Sequence, residues 1–392
     1  FGYFNEKSLC IRAYIWYNHH GDLMKTVNLL IKPSSDKCNM RCKYCFYHDI
    51  SQKHKNQNLG FMTTKTLENI IKKAFCEAKN EVCFTFQGGE PTLIGLDFYE
   101  NLVKLQKKLN DKNLKIDNRI QTNGFLIDEQ WAKFLSKNNF LVGISLDGTK
   151  DIHDAFRLDA GEKGTFNKVL KTIELLKKHK VDFNILTVVT SLTARKPEAI
   201  YNFYKKNGFK YLQFIPCLNP LGKEDEKQLF TLSPKRYGDF LCTLFDLWYR
   251  DFKAMNYISI GQFDNYIMML NGQPAVSCGF AGVCSIQNVI EADGSVYPCD
   301  FYVLDELKLG NINENSFDEI NAKREGLEFI EKSQSHLSEC QKCEYFAICR
   351  GGCKRYKEPF LNGEYSQNVF CESYKQFFKY ALPRMVEIAK TL

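Results

Sequence analysis

Cys38-Asn39-Met40-Arg41-Cys42-Lys43-Tyr44-Cys45 places three cysteines in a C-x3-C-x2-C run just after a short apolar segment. Three thiolates on one tight loop can each hold one iron of a cubane cluster, which leaves the fourth iron open to a small molecule. An open metal position belongs to catalysis, whereas a fully ligated one belongs to structure or electron transfer. The run reads as an iron-sulfur site for radical chemistry, set against a zinc loop one ligand short. A second motif, Gly88-Gly89-Glu90-Pro91, offers bare backbone amides and carbonyls beside a carboxylate, a loop suited to a ligand carrying an ammonium group. Of sixteen cysteines, eight more gather between Cys278 and Cys371. In a reducing compartment such clusters point to metal rather than disulfides. The other five, Cys10, Cys76, Cys83, Cys217 and Cys242, are scattered singly and read as small buried hydrophobes.

The elements that must position these motifs follow from hydrophobic periodicity. Strands are predicted near Thr26–Ile31, Glu81–Gln87, Leu114–Gln121, Phe140–Leu146, Asp182–Thr190 and Tyr211–Ile215. Helices are predicted between them, near Thr64–Ala78, Asp97–Leu109, Asp128–Ser136, Phe166–His179 and Pro197–Asn207. Such alternation implies an α/β fold with a parallel sheet and crossover helices, either doubly wound or curled into a barrel. In both arrangements ligands gather where strands end. The cysteine loop follows the first strand and Gln87 to Pro91 the second. Gln121-Thr122-Asn123-Gly124 ends the third, and Ser145-Leu146-Asp147-Gly148 the fourth, so all share one edge. After Pro216 the pattern changes to a charged loop and a long amphipathic helix from Pro234 to about Ala254. A hairpin is expected from Val289 to Tyr297, turning at Asp293-Gly294. The expected organisation is a sheet domain over 24–230, a helical linker over 231–276 and a cysteine-rich domain over 277–392.

The formal charge of +7 is spread as single lysines on helix faces, which reads as solubility rather than a nucleic-acid footprint. No apolar run approaches the ~18 residues that a membrane span needs, and no signal-peptide pattern opens the chain. Neither nucleic acid nor membrane is an expected partner, and the expected compartment is the cytoplasm. Residues 1–23, which include His19 and His20, show no clear periodicity and are expected to be a poorly ordered extension, with Met24 the native start.

The cysteine loop, with an aromatic residue before its last Cys and Gly-Gly-Glu-Pro after the second strand, resembles the radical S-adenosylmethionine superfamily. The resemblance implies a partial (β/α)6 TIM-like barrel whose open iron is chelated by S-adenosylmethionine (AdoMet). Cys38, Cys42 and Cys45 would hold the cluster, Tyr44, Gly89 and Glu90 would help seat the cofactor, and Ser145 and Arg157 match positions that hold its ribose and carboxylate. Arginine suits a carboxylate because its fork pairs it at two points. The C-terminal cysteines resemble the SPASM extension, which carries two auxiliary 4Fe–4S clusters, making three in all. By that resemblance Cys278, Cys284, Cys299 and Cys353 serve one cluster, and Cys340, Cys343, Cys349 and Cys371 the other; spacing alone does not decide the division.

From Met24 onward the chain is similar to the anaerobic sulfatase-maturating enzymes. Leu30 to Pro33, Cys45-Phe46-Tyr47-His48, Phe86 to Thr92, Gln121 to Gly124 and Tyr297 to Tyr302 carry the match. That family oxidises a Cys or Ser side chain of a sulfatase polypeptide to Cα-formylglycine, drawing electrons from a low-potential donor such as flavodoxin or ferredoxin. The resemblance makes Asp300 the catalytic base. Tyr47 and Gln87 either line the substrate cavity or serve packing. Two other readings stand beside this one: a SPASM-type enzyme forming a thioether crosslink or an epimer in a peptide, and a zinc-stabilised binding module.

Overall fold

In the first strand, β1 (Thr26–Ile31), burial alternates residue by residue, with Val27, Leu29 and Ile31 on the buried face. This period of two makes one face of the sheet apolar and leaves the other to polar residues. The computed structural model describes residues 26–51, 53, 59–223, 226–334, 338–361 and 364–392. The expected extension, the start at Met24, and Cys10 lie outside the described residues.

Five further strands, β2 (Glu81–Phe86), β3 (Lys115–Thr122), β4 (Leu141–Ser145), β5 (Phe183–Val189) and β6 (Tyr211–Pro216), pair in sequence order, each parallel to the last. Crossover helices Thr64–Glu77, Leu96–Leu109, Glu129–Lys137, Phe166–Lys178 and Pro197–Lys206 cover the apolar face, where Leu29, Phe84, Ile144, Ile185 and Phe214 enter one core. Local signals start several of these helices. Thr63 caps the first by accepting from the Thr66 amide, and Asp128 caps the third by accepting from the Gln130 and Trp131 amides. On the opposite face, Asn28, Thr85, Arg119, Gln121, Asn184 and Gln213 line one cavity of about 660 Å³. In a flat sheet the outermost of these strands would stand about 24 Å apart. One cavity shared by β1 and β6 therefore requires the sheet to curl around an interior lined by polar and apolar side chains, which selects the barrel over the doubly wound alternative.

Both ends of this sheet are extended. The segment expected to be a helical linker supplies the helix Pro234–Lys253, but also a seventh strand, β7 (Ser259–Ile260), parallel to β6. At the other edge β8 (Asn288–Ile290) runs parallel to β1, followed by antiparallel β9 (Ser295–Tyr297) and β10 (Gly310–Asn311). The expected hairpin exists, and it is hydrogen-bonded to the barrel. A short helix, Lys150–Phe156, was not foreseen; it leads directly to Arg157. The final helix, Cys371–Ala389, returns to pack on Pro234–Lys253 through Phe377 against Phe245 and an Arg384–Asp246 ion pair of 2.8 Å. Among the described residues no helix is long and apolar enough to cross a membrane.

The β7 joint contains a buried acid. Asp264, 1% exposed, accepts from the Tyr257 hydroxyl at 2.7 Å and the Ser259 hydroxyl at 2.5 Å. Burial pushes its carboxyl up to about 7, against the lowering effect of those two donors. The folded state thus holds this proton more tightly than the unfolded chain, so stability falls as pH rises from the ordinary 3.8 towards 7 and is flat above it. Asp264→Asn should flatten this dependence, worth at most about 4 kcal/mol. Anaerobic thermal unfolding of both proteins between acid and neutral pH checks it.

Candidate active site

The cysteine loop is fastened from two sides. The Arg41 amide donates to the Leu158 carbonyl at 2.7 Å and the Lys43 amide to Phe156 at 3.0 Å. On the other flank the Gly89 amide reaches Ser35 at 2.7 Å and the Glu90 amide reaches Lys37 at 2.8 Å. A side chain at position 89 would meet the Lys37 carbonyl at 2.2 Å, so glycine is what permits this approach. Gly88, at φ +128°, adopts backbone that residues with a Cβ rarely reach. The three thiols Cys38, Cys42 and Cys45 are half-buried on this loop. Burial pushes Cys38 up to about 12 and Cys42 up to about 11, the latter against the pull of Arg157.

Glu90 has contacts within the protein that its motif does not announce. Its carboxylate is fully buried and accepts from the Thr92 amide at 3.0 Å, the Thr92 and Thr122 hydroxyls at 2.6 Å each, and the Asn123 amide at 2.8 Å. Through these donors it braces the end of β2 against the end of β3, beside the bare Gly88–Gly89 backbone. Asn123, singled out only as a turn residue, donates through Nδ2 to Asn39 Oδ1 at 2.9 Å and lies 3.8 Å from the Cys38 sulfur.

Tyr44 and Arg157 come together beside Cys42. Arg157 Nη1 donates to the Tyr44 hydroxyl at 3.1 Å, and that hydroxyl donates to Asp147. Asp147 in turn accepts from the Val188 amide at 2.9 Å. Burial works against the Arg157 charge, but Cys42, Tyr44 and Asp147 together hold its proton well above the usual range. Ser145 stands apart from this trio, half-buried, accepting from Gln121 at 3.2 Å. Two buried donors on this side, Arg157 Nε and Asn39 Nδ2, have no hydrogen-bond partner among the described residues. Unspent donors beside a trio of thiols fit a cluster with a carboxylate-bearing ligand, since an unpaired buried donor otherwise costs free energy.

Across the barrel mouth lies a second group. Asp300, 8% exposed, follows β9. Its Oδ2 accepts from the Tyr47 hydroxyl at 2.5 Å and from Gln87 Nε2 at 3.2 Å, and Gln87 also donates to Tyr47 at 2.6 Å. The Asp300 Oδ1 has no hydrogen-bond partner among the described residues. Burial raises the Asp300 carboxyl, while Lys32 and Tyr47 lower it. Tyr47 and Gln87, undecided between cavity and packing, thus converge on Asp300, and Gln87 also lines the cavity. Lys32 and Glu291 belong to this group without any role having been read for them. The Lys32 ammonium is 2.5 Å from Glu291 and 4.9 Å from the Tyr47 ring centre, with both side chains about 5% exposed or less. Burial lowers Lys32, yet Glu291 and Asp300 outweigh it and keep the lysine protonated. Lys32 stands in a quoted motif; Glu291, three residues before the hairpin glycine, carries no signal of its own.

The C-terminal thiols form two neighbourhoods. Cys299, next to Asp300, is pushed well up by burial and then by Cys278, Cys353 and Cys284. Cys349 is pushed up to about 11 by burial, with Cys371, Cys340 and Cys343 adding to it. Of the scattered cysteines, Cys83 and Cys217 are buried and Cys242 is half-buried, but Cys76 is exposed. It stands near the end of its helix, one residue past Phe75, the last of the buried stripe, so helical rotation carries it outward.

Barrel, cysteine loop and C-terminal thiols together define a radical AdoMet enzyme with added iron-sulfur domains. Residues 33–204 match the Radical SAM superfamily, and residues 278–344 match SPASM, an iron-sulfur cluster-binding domain. The chain is 50% identical to a cysteine-type anaerobic sulfatase-maturating enzyme of Clostridium novyi, over 94% of this chain and 99% of the relative. To a serine-type enzyme of Bacteroides thetaiotaomicron it is 34% identical, over 94% of this chain and 92% of the relative. Among solved structures, native anSMEcpe with bound AdoMet and Cp18Cys peptide superposes with a TM-score of 0.89 at 49% identity, covering 94% of this chain and 99% of that one. The chain belongs to the anaerobic sulfatase-maturating enzyme family. It is accordingly an enzyme that uses AdoMet with a 4Fe–4S cluster and binds auxiliary iron-sulfur clusters, which sets aside the zinc-stabilised binding module.

The Lys32–Glu291 pair can be tested by itself. Lys32→Met strands a buried carboxylate and should cost about 3–5 kcal/mol, whereas the double replacement by Met should recover most of that loss. Anaerobic denaturant unfolding of the three proteins measures both.

Proposed function

We propose that this enzyme oxidises a cysteine of a sulfatase polypeptide to Cα-formylglycine. The observation that carries the reading is the cluster of Asp300, Tyr47 and Gln87 at the barrel mouth, directly after Cys299. The preference for cysteine over serine is supported by the higher identity to the cysteine-type relative, 50% against 34%. Cys38, Cys42 and Cys45 would hold the radical-generating cluster, with Tyr44, Gly89, Glu90, Ser145 and Arg157 seating AdoMet. Cys278, Cys284, Cys299 and Cys353 would hold one auxiliary cluster, and Cys340, Cys343, Cys349 and Cys371 the other. The barrel is assigned to 24–230 and the auxiliary domain to 277–392, joined by 231–276.

When bound, these groups supply a 5′-deoxyadenosyl radical able to remove a hydrogen atom from Cβ, and one-electron acceptors. The chain's own residues do the rest. Gln87 and Tyr47 hold Asp300 Oδ2 by two donors, leaving Oδ1 free to accept the substrate thiol proton. Deprotonating the sulfur makes the substrate radical a stronger reductant, so a base belongs beside an electron acceptor. Over the whole reaction the side chain gives up one hydrogen atom, one proton and one electron, and water then replaces sulfur, released as hydrogen sulfide. The polar barrel wall of Asn28, Thr85, Arg119, Asn184 and Gln213 offers hydrogen bonds suited to an extended peptide backbone. The electron source is a low-potential donor such as flavodoxin or ferredoxin, and the compartment is the cytoplasm.

Asp300→Asn should lower aldehyde formation on a cysteine-containing sulfatase peptide by roughly 10²-fold or more, while 5′-deoxyadenosine still forms. Anaerobic incubation followed by mass spectrometry of the peptide reads the first and chromatography the second. A wild-type rate in Asp300→Asn would rule out the base. A variant with Cys38, Cys42 and Cys45 all replaced by Ala should make no 5′-deoxyadenosine yet keep its auxiliary iron.

A further inference from the structure

Behind one wall of the barrel cavity lies a buried cation without a carboxylate. Arg324, 3% exposed, stands on the helix Phe317–Gly326. Its Nη1 donates to Asn321 Oδ1 at 2.6 Å, and its Nη2 donates to Asn288 Oδ1 at 2.6 Å and to the Gln287 carbonyl at 2.8 Å. Asn288, Asn321 and Gln287 all line the cavity that Gln87 lines, whereas Arg324 stands behind them. Among the described residues no carboxylate pairs with Arg324, and its Nε has no hydrogen-bond partner. Burial lowers its pKa to about 10, with no anion to raise it again.

This contact decides which way two amides point. A guanidinium carries five N–H donors and no acceptor, so the atom it touches on each asparagine is the oxygen. The NH2 groups of Asn288 and Asn321 are therefore the ends left for the cavity, and neither has a hydrogen-bond partner among the described residues. A cation bonded to an amide oxygen polarises the amide and makes its N–H groups stronger donors. Two such donors, with an uncompensated positive charge behind them, suit an oxygen acceptor and disfavour an ammonium or a guanidinium. Register sets their distance from the chemistry. Asn288 is level with Leu29 and, through it, with Phe84, three residues before Gln87. That is ~10 Å along the strands, the span of about three residues of extended peptide.

We propose that Asn288 and Asn321, held by Arg324, form a substrate-binding subsite that accepts a carbonyl or carboxylate oxygen of the polypeptide, at least three residues from the cysteine that is oxidised. The proposal rests on the reading above in which the barrel cavity seats a sulfatase peptide. Asn288 and Asn321 touch the substrate, and Arg324 is a positioning residue that acts through them. The subsite fixes the register of the peptide, since an acceptor must fall at this depth when the target cysteine reaches Asp300. A segment that offers a basic side chain at the same depth leaves the two donors unpaired and brings a cation towards Arg324.

The test is anaerobic binding of a fluorescein-labelled, cysteine-containing sulfatase peptide to reconstituted, AdoMet-loaded enzyme, read by anisotropy, together with KM and kcat for aldehyde formation read by mass spectrometry. Asn288→Asp keeps the oxygen that Arg324 grips and adds an ion pair to it, but turns an acceptor towards the cavity in place of a donor. It should weaken peptide binding about tenfold or more and raise KM by a similar factor, with kcat far less affected. A merely structural asparagine predicts no such loss, because the new ion pair replaces the old contact; affinity and KM equal to wild type would overturn the inference. Should Asn288→Asp fail to load its clusters, Asn321→Asp, on the helix rather than in the sheet, carries the same expectation. The same peptide with every carboxylate converted to amide separates the two acceptors. An equal penalty in parent and amidated peptide identifies a main-chain carbonyl, and a penalty confined to the parent identifies a carboxylate. A peptide that binds the wild type, loses affinity in the variants and yields a product other than aldehyde would uphold the subsite and overturn the formylglycine reading, so the two failures are distinguishable.

Discussion

The pairing of β8 with β1 is the constraint on which the site depends. Leu29, Leu30 and Ile31 align with Asn288, Val289 and Ile290, and the Lys32 amide continues the ladder to the Ile290 carbonyl at 2.8 Å. Through this joint the C-terminal hairpin becomes part of the barrel sheet. Asp300 is carried by β9, which is zipped to β8, so its position relative to the strand ends of β1 and β2 is set by backbone hydrogen bonds. Main-chain ladders hold geometry more firmly than side-chain contacts between independent domains, which is what the proposed reaction between a radical, a base and an electron acceptor would require.

The buried charges follow the same logic of local closure. Lys32 sits between Glu291 and Asp300 and over Tyr47. Arg157 sits with Asp147 and Tyr44 beside Cys42. Each group keeps a cation near its anions, because an uncompensated charge in so dry a place is expensive. Among the described residues, the buried polar atoms without a hydrogen-bond partner include Arg157 Nε, Asn39 Nδ2 and Asp300 Oδ1 at these two groups, and others elsewhere, such as Gln262 Oε1 and Arg324 Nε. Those at the two groups are available to what binds there.

Much of this was legible from residue patterns. Six strands and five crossover helices follow from periodicities of two and 3.6 residues, and caps such as Asp128 mark helix starts. The choice between a flat sheet and a curled one was not legible, because curling depends on twist accumulated across strands and on an inner wall whose members are scattered over 186 residues, from Asn28 to Gln213. β7 was missed because two residues carry no periodicity. The internal contacts of Glu90 were not legible, because its Thr122 and Asn123 donors arrive from the end of the next strand.

By itself, the sequence determined the kind of chemistry: three thiols close enough on one loop to ligate together, eight more in short spacings, and a family whose reaction uses them. Those facts are local, set by chain geometry over a few residues. Only the tertiary structure decided that Asp300 meets Tyr47, 253 residues away, and Gln87, 213 residues away. The physical reason is that strand edges are chosen by register and burial across the whole sheet. No short pattern says that the hairpin after Asn288 will add itself beside β1 rather than elsewhere, and it is that addition which turns separate motifs into one site.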